Sequence, residues 1–509
     1  MVRVFLAAVF AVGPISTPAA EDGPTRAEAA AALRKAVEFF HSKAATHGGY
    51  VWIYSSDLKY RQGEGLAYDQ RIWIQPPGTP AVGLAMLEAY QALSDPLCLE
   101  AARDAAEALV LGQLCSGGWY YSVTFDPQKR SEFNYRLAPT KGRPDPRSES
   151  ELPGGWTLWR QRRHQGNMTL LDDDTTQSAI RLLMRVDKAI NFADPRIHEA
   201  AEYGLASLLG AQYPVGAWSH NYDRFPRKSP DPEHYPVKQA SYPDEWSRTW
   251  TKDFNGCYEI NDRITPNAIR TMLDAYEIYG HRRYRDSALR GGDFLLRTQM
   301  PDPQPAWAQQ YDHNMQPVWD RAFEPPAITG LESQDVLETL LLLYERTGEK
   351  KYLDAVPKAL AYLRQSVLAD GKLARFYELK TNRPLYFTQD YKITFDRGAM
   401  PDHYQFVVNC RLDSIAVRYR RLVQGGPKAE PPPPSREELA AEARRVIDSM
   451  DERGAWSEPG VVRDESGRKV EPKGGVLRSE TFIENVEVLS KFLASSTQPV
   501  QSGSSGPPR

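Results

Sequence analysis

The segment Leu171-Asp172-Asp173-Asp174-Thr175-Thr176-Gln177 sets three acids in a row directly before a stretch with helical periodicity. One acid at that position would cap the helix and offset its dipole. Three adjacent acids repel one another, and a bound cation would compensate the excess charge. Asn261-Asp262-Arg263 stands at a similar helix entrance, where a cap alone would also account for the acid. Oxygen donors without a Cys or His cluster suit Ca²⁺ better than Zn²⁺.

Two further stretches carry arginines next to aromatics. In Trp319-Asp320-Arg321-Ala322-Phe323-Glu324-Pro325-Pro326, the paired prolines fix the chain just after Arg321 and Glu324 and make their presentation rigid. In Ala374-Arg375-Phe376-Tyr377-Glu378, followed by Thr381-Asn382-Arg383-Pro384, the arginines fall off the helical runs. Planar guanidinium groups in such loops fit bidentate recognition of carboxylates. The bland reading of any one of them is a solvated surface arginine.

The elements that must hold these residues are helical. Apolar residues recur at spacings of three and four through most of the chain, as in Ala179, Leu182, Leu183 and Val186 or Ile269, Met272, Leu273 and Tyr276. About twelve helices are expected, and few runs alternate at period two. Thr265-Pro266 reads as a helix start with Thr265 as cap. The fold class is all-α. Tyr276–Asp286 recurs as Tyr344–Asp354, each with one helix ending at a glycine and the next beginning a few residues on. Gly118-Trp119, Ala217-Trp218, Ala306-Trp307 and Ala455-Trp456 also recur, after helix pairs. Repeated helical hairpins with aromatic loops on one face predict an α/α toroid, with an open helical solenoid as the alternative. In a toroid those loops ring one mouth, where aromatics and acids can line a cleft.

Of 509 residues, 41% are hydrophobic and 25% charged, and 63 basic against 66 acidic residues give a net charge of −3. This suits a large globular core and argues against a nucleic-acid partner, which a basic excess would accompany. Residues 1–20 combine Arg3, an apolar run and a small-residue exit at Ala19-Ala20, the layout of a secretory signal. A secreted or periplasmic protein follows, with no membrane partner after cleavage and a monomer as the expected state. Residues 22–424 form the expected catalytic toroid. Residues 425–434 (GGPKAEPPPP) form a stiff linker, 435–494 a helical segment able to complete the ring, and 495–509 a low-complexity, disordered tail. The four cysteines show no metal spacing.

Taken in order, these motifs resemble the pectic acid lyases, polysaccharide lyase family ten. The shared landmarks are Asp172–Gln177 ending in Thr-Thr-Gln, the Asn261-Asp262 pair, Arg321–Pro326 and Ala374–Pro384, with Gly118-Trp119 and Ala217-Trp218 similar to that family's Gly-Trp segments. The resemblance implies an α/α toroid and Ca²⁺-assisted β-elimination on polygalacturonate or another acidic polysaccharide. It implies Arg321 as the base at C5, with Asp172 and Asp262 at the reacting centre. Asp172, Asp174 and Asp262 become the implied Ca²⁺ ligands, and Trp119, Trp218, Asp173, Glu324, Arg375 and Arg383 the implied substrate contacts. The chain departs from the family pattern in its short Asp-Asp-Asp-Thr-Thr-Gln motif and in Asp402-His403-Tyr404-Gln405, where an arginine-rich segment is expected. An arginine base is chemically awkward, because guanidinium holds its proton above about pH 12; a carboxylate clamp is the alternative role. Two other classes stay open. One is a glycoside hydrolase using Glu324 and Asp172–Asp174, and the other a catalytically silent carbohydrate-binding homologue.

Overall fold

The structure, a computed structural model, describes residues 23–138, 166–226, 230–251 and 258–495. The expected signal segment, Cys257 and the tail beyond Ser495 lie outside the described residues. Twelve helices of ten residues or more are described: α1 (Arg26–Phe39), α2 (Thr79–Leu93), α3 (Pro96–Gly112), α4 (Thr175–Ala189), α5 (Pro195–Gly210), α6 (Ile264–Tyr279), α7 (Arg282–Arg297), α8 (Gly330–Thr347), α9 (Val356–Gln365), α10 (Leu412–Gly425), α11 (Arg436–Asp448) and α12 (Ser479–Ser495).

Their packing follows their order. Helix α2 packs on α4, α4 on α6, α6 on α8 and α8 on α10, while α3, α5, α7 and α9 pack against this row; α4, α6 and α8 are the more buried and are termed inner, and α3, α5, α7 and α9 outer. Helix α12 packs on both α1 and α2, and α11 on α12. Ile53–Ser55 pairs antiparallel with Val476–Arg478. The segment after the proline-rich stretch is therefore built into the start of the chain. The two recurring hairpins end as their glycines require, with Gly280 and Gly348 both at φ 74° closing α6 and α8.

The fold also contains short strands that the periodicity did not reveal. A four-stranded antiparallel sheet runs in the order β4-β3-β2-β1, from β1 (Ala327–Thr329), β2 (Phe376–Glu378), β3 (Pro384–Phe387) and β4 (Ile393–Thr394). Two-residue strands at Thr169–Leu170 and Tyr258–Glu259 pair with Asn221–Tyr222 and Gln310–Tyr311. Strands of two to four residues are too short to display an alternation, so the all-α reading holds for the body and fails for the loops.

The recurring tryptophans are internal posts. Trp119, Trp218 and Trp307 are fully buried. Their indole N–H groups donate to the carbonyls of Leu109, Leu208 and Leu295 at the ends of α3, α5 and α7. Their backbone N–H groups donate to Thr176, Thr265 and Ser333 hydroxyls in the first turns of α4, α6 and α8. Each post ties the end of one outer helix to the start of the next inner one. Burying a ring of this size contributes up to about 4–6 kcal/mol of transfer free energy. Thr265 thus spends its hydroxyl on the post and does not cap α6, whose cap position is Arg263. Close packing behind the posts requires glycine: a Cβ on Gly216, at φ 106°, would meet the Arg290 carbonyl at 2.0 Å.

Candidate active site

The inner helices α4 and α6 are entered through two turns of the same shape. In the first, Asp173 (φ 47°, ψ 37°) and Asp174 (φ 61°, ψ 20°) are left-handed; in the second, Asp262 (φ 48°, ψ 28°) and Arg263 (φ 61°, ψ 25°) are. Left-handed non-glycine residues are costly and concentrate where function over-determines the backbone. Asp174 occupies the cap position of α4 but makes no side-chain cap hydrogen bond, so the acids are not there as caps. The left-handed pair instead brings Asp172, Asp173 and Asp262 together, with oxygens within 4.8 Å of one another.

Each acid has a different environment. Asp172 is buried; its Oδ2 accepts from the Tyr121 hydroxyl at 2.6 Å and lies 3.3 Å from Nε2 of buried His220, while its Oδ1 has no hydrogen-bond partner. Burial opposes its charge, but His220, Tyr121 and Arg321 outweigh burial and hold the carboxyl below its ordinary range. Asp173 is exposed and accepts from Gln75 Nε2 at 2.6 Å. Although the residue as a whole is exposed, partial loss of water around its carboxyl and the charge of Asp172 push it up to about 6. Asp262 is driven well above the ordinary range by burial and by both neighbouring aspartates, more than Arg321 and Arg375 lower it. The cluster is charge-frustrated in the absence of a cation.

Opposite the acids stand two arginines on buried carboxylates. Arg321 donates to Glu324 through Nε at 2.6 Å and Nη2 at 2.5 Å, and its Nη2 lies 3.7 Å from Asp262. Glu324 is fully buried and also accepts from the Tyr404 hydroxyl at 3.0 Å. Burial lowers the guanidinium's hold on its proton, yet Glu324 and Asp262 reverse this and push Arg321 well above its ordinary value. Arg375 donates to buried Glu332 at 2.7 Å, approaches Asp262 at 3.9 Å and lies over the Tyr404 ring at 4.5 Å. Both groups are full cations whose planar forks are already aimed.

The expected site residues separate into two sets. Asp172, Asp173, Asp262, Arg321, Glu324 and Arg375 converge. Asp174 does not: its carboxylate pairs with Arg181 of α4, so the third acid of the cluster is Asp173 and not Asp174. Trp119 and Trp218 are also corrected, because a fully buried ring has no face to offer a sugar. Arg383 lies in an adjacent groove, exposed, with its guanidinium 3.4 Å from the Phe395 ring centre.

Besides Gln75 and Glu332, which hold Asp173 and Arg375, four contributors were not read from the sequence. Tyr121, His220 and Gln309 each lie two residues after a buried tryptophan, and Gln309 donates to Asn261 and Glu332 at 3.0 Å. A two-residue offset from each Trp post is the sequence signal that would have found them. Tyr404, in the segment that departs from the family pattern, lies beneath both arginines. Its signal was that departure itself.

The chain has likenesses to known proteins. Residues 150–370 match the pectic acid lyase family model. That span contains Asp172–Gln177, Asn261-Asp262 and Arg321–Pro326, and ends just short of Ala374–Pro384. The resemblance read from the motifs is thus shown for the part of the chain that carries both helix-entry turns. No curated protein matches the chain. Among solved structures, a family 10 polysaccharide lyase variant from Cellvibrio cellulosa, in complex with trigalacturonic acid, is 17% identical over 67% of this chain and 98% of its own, with a TM-score of 0.40. Cellobiose 2-epimerase from Spirochaeta thermophila is 12% identical over 93% and 97%, with a TM-score of 0.47. An α-1,6-mannanase from Salegentibacter sp. is 12% identical over 92% and 99%, with a TM-score of 0.39.

Proposed function

We propose that the protein is an exported pectate lyase that cleaves polygalacturonate by Ca²⁺-assisted β-elimination, on a toroid closed by α12 against α2. The observation that carries this reading is the arrangement of three convergent aspartates facing two pre-aimed arginines, on motifs inside the pectic acid lyase match. Export rests on residues 1–20 alone.

The donor set fits calcium. Asp172, Asp173 and Asp262 offer hard oxygens close together, and the buried Oδ1 of Asp172 has no other partner. When bound, Ca²⁺ supplies charge neutralisation for a uronate carboxylate, which acidifies the adjacent C–H. The chain's own residues hold the carboxylate and meet the charge that develops on it. Arg321 and Arg375 bring donors fixed by Glu324 and Glu332 to a carboxylate, so little reorganisation remains when charge develops on it. Glu324 and Asp262 keep Arg321 protonated, which supports the clamp role over that of the C5 base. The same ion pair weighs against a hydrolase, because Glu324 is fully buried and committed to Arg321 and so is unsuited to protonate a leaving oxygen.

The test is ultraviolet absorbance on polygalacturonate with added Ca²⁺ or with EDTA. Elimination leaves a conjugated double bond, so absorbance should rise with Ca²⁺ and stop with chelator. Reducing ends formed without absorbance would point to hydrolysis, and no turnover at all to a silent binding homologue.

A further inference from the structure

Residues 62–66 form a tight loop, closed by the pairing of Gln62 with Leu66 and by the Gly63 N–H, which donates to the Gly65 carbonyl at 2.9 Å. Glu64 stands at its tip between the two glycines, outside the span of the family match. The loop is seated on buried Trp73. A Cβ on Gly63 would meet that ring at 2.0 Å, so glycine permits the approach. Trp73 is tied in turn to the acid cluster. Its indole N–H donates to Gln75 Oε1 at 3.0 Å, and Gln75 donates to Asp173 at 2.6 Å. The next backbone N–H, of Ile74, donates to the Tyr121 carbonyl at 2.8 Å, and the Tyr121 hydroxyl holds Asp172. The segment under the loop therefore borders both acids of the first helix-entry turn.

Glu64 is exposed, and its carboxylate makes no hydrogen bond and no ion pair among the described residues. It lies within the fields of Asp172, Asp173 and Arg321. Partial loss of water and the charge of Asp172 raise it above the ordinary carboxylate range, more than Arg321 lowers it, which strengthens it as a proton acceptor. The other groups of the site are committed. Glu324 and Glu332 hold Arg321 and Arg375 as cations, Tyr121 and Tyr404 donate to Asp172 and Glu324, and His220 is buried against Asp172.

We infer that Glu64 is the proton acceptor of the elimination, taking the C5 proton of a uronate whose carboxylate is held by Arg321 and Arg375. The inference rests on the pectate reading. The C5–H electron pair becomes the C4–C5 double bond as the C4–O4 bond breaks. O4 takes a proton from water and Glu64 returns its own to water, so protons balance.

Absorbance kinetics on polygalacturonate with saturating Ca²⁺ test it, using wild type, Glu64→Gln and Glu64→Ala. Glu64→Gln keeps the size and loses the basic oxygen, so kcat should fall roughly 10²–10⁴-fold with KM within about twofold of wild type. The Ca²⁺ concentration for half-maximal rate should stay as in wild type. In Glu64→Ala, added formate should restore part of kcat by supplying a small carboxylate. A loop that only shapes the mouth would gain nothing from formate, and that result would overturn the assignment. Wild-type kcat in Glu64→Gln, or a loss that excess Ca²⁺ repairs, would also overturn it and leave the lyase reading intact. Wild type that forms no unsaturated product would sink both.

Discussion

The two helix-entry turns share a backbone and differ in every side chain but one. Both run through a pair of left-handed residues into an inner helix. In both, the first residue is buried (Asp172, Asn261) and the second faces the site (Asp173, Asp262). The third turns away to an ion pair: Asp174 to Arg181 on its own helix, and Arg263 to Asp335 and Glu338 on α8. The fold's repetition supplies the shape, and chemistry has been written onto it at the second position. The first positions divide the labour. Asp172 brings a charge that His220 and Tyr121 support, whereas Asn261 brings a neutral amide that accepts from Gln309 and donates to Glu324 at 3.3 Å.

Removing the charge of the second turn should break the site outright. Asp262→Asn leaves the turn able to form, because asparagine tolerates the left-handed region. It removes one of the three convergent carboxylates, and activity at fixed Ca²⁺ should fall roughly 10²–10³-fold, the scale of losing one preorganised electrostatic contact. Excess Ca²⁺ should restore part of it. Full activity of the wild type in EDTA would remove the cation from the argument altogether.

Arg321→Lys tests what faces the turns. It keeps the charge and loses the paired contact with Glu324, worth about 1.5–3 kcal/mol, so kcat/KM should drop roughly 10–100-fold. A clamp predicts that most of this appears in KM. A collapse of kcat with KM unchanged would return the base assignment to Arg321.

Much of this was legible in the sequence, and the reasons for the rest are physical. Twelve helices and the Gly280 and Gly348 caps follow from periodicity and cap chemistry, whereas the grouping of Asp172, Asp262, Arg321 and Arg375 at one site is what the family resemblance implies. The tryptophans were misassigned because a repeated aromatic in a loop has the same spacing whether it faces a cleft or the core. Their buried indole hydrogen bonds decide the matter. Asp174 is expected as the cation ligand and Asp173 as a substrate contact because three identical neighbours give no clue to which one a left-handed turn aims at the cluster. His220 escaped notice because its role arises from a contact with Asp172, which is distant in the chain.

The exposed member of the first turn also gives the cluster a pH response. With Asp173 titrating near 6, its ligand form fills as pH rises through that value. Ca²⁺ affinity should therefore climb between about pH 5 and 7 with proton release, to which Asp262 adds because its carboxyl is also held above its ordinary range. Calorimetry in buffers of different ionisation heat reads both quantities. Affinity independent of pH across that window would show that Asp173 is not a ligand.

The smallest effects separate Asp173 from Asp174, adjacent acids in one turn. The folded-state pKa of Asp173 lies above its ordinary value, so its ionisation costs stability, and that cost grows as pH rises towards and through about 6. Asp173→Asn should therefore stabilise the cation-free protein at pH 7. Because the residue is exposed and screened, the gain is about 1 kcal/mol. Substituting Asp174 should act in the opposite direction. Its carboxylate neutralises Arg181, whose side chain is 7% exposed and whose other contact is the Thr271 hydroxyl at 3.0 Å. Asp174→Asn should cost about 1–3 kcal/mol, the penalty of weakening a largely buried charge pair. The response to Ca²⁺ should split the other way, lost in the Asp173 variant and kept in the Asp174 variant. Denaturant midpoints in EDTA and in Ca²⁺ give both readings from one series. Equal Ca²⁺ stabilisation in the two variants would mean that the turn does not sort its acids as the geometry describes.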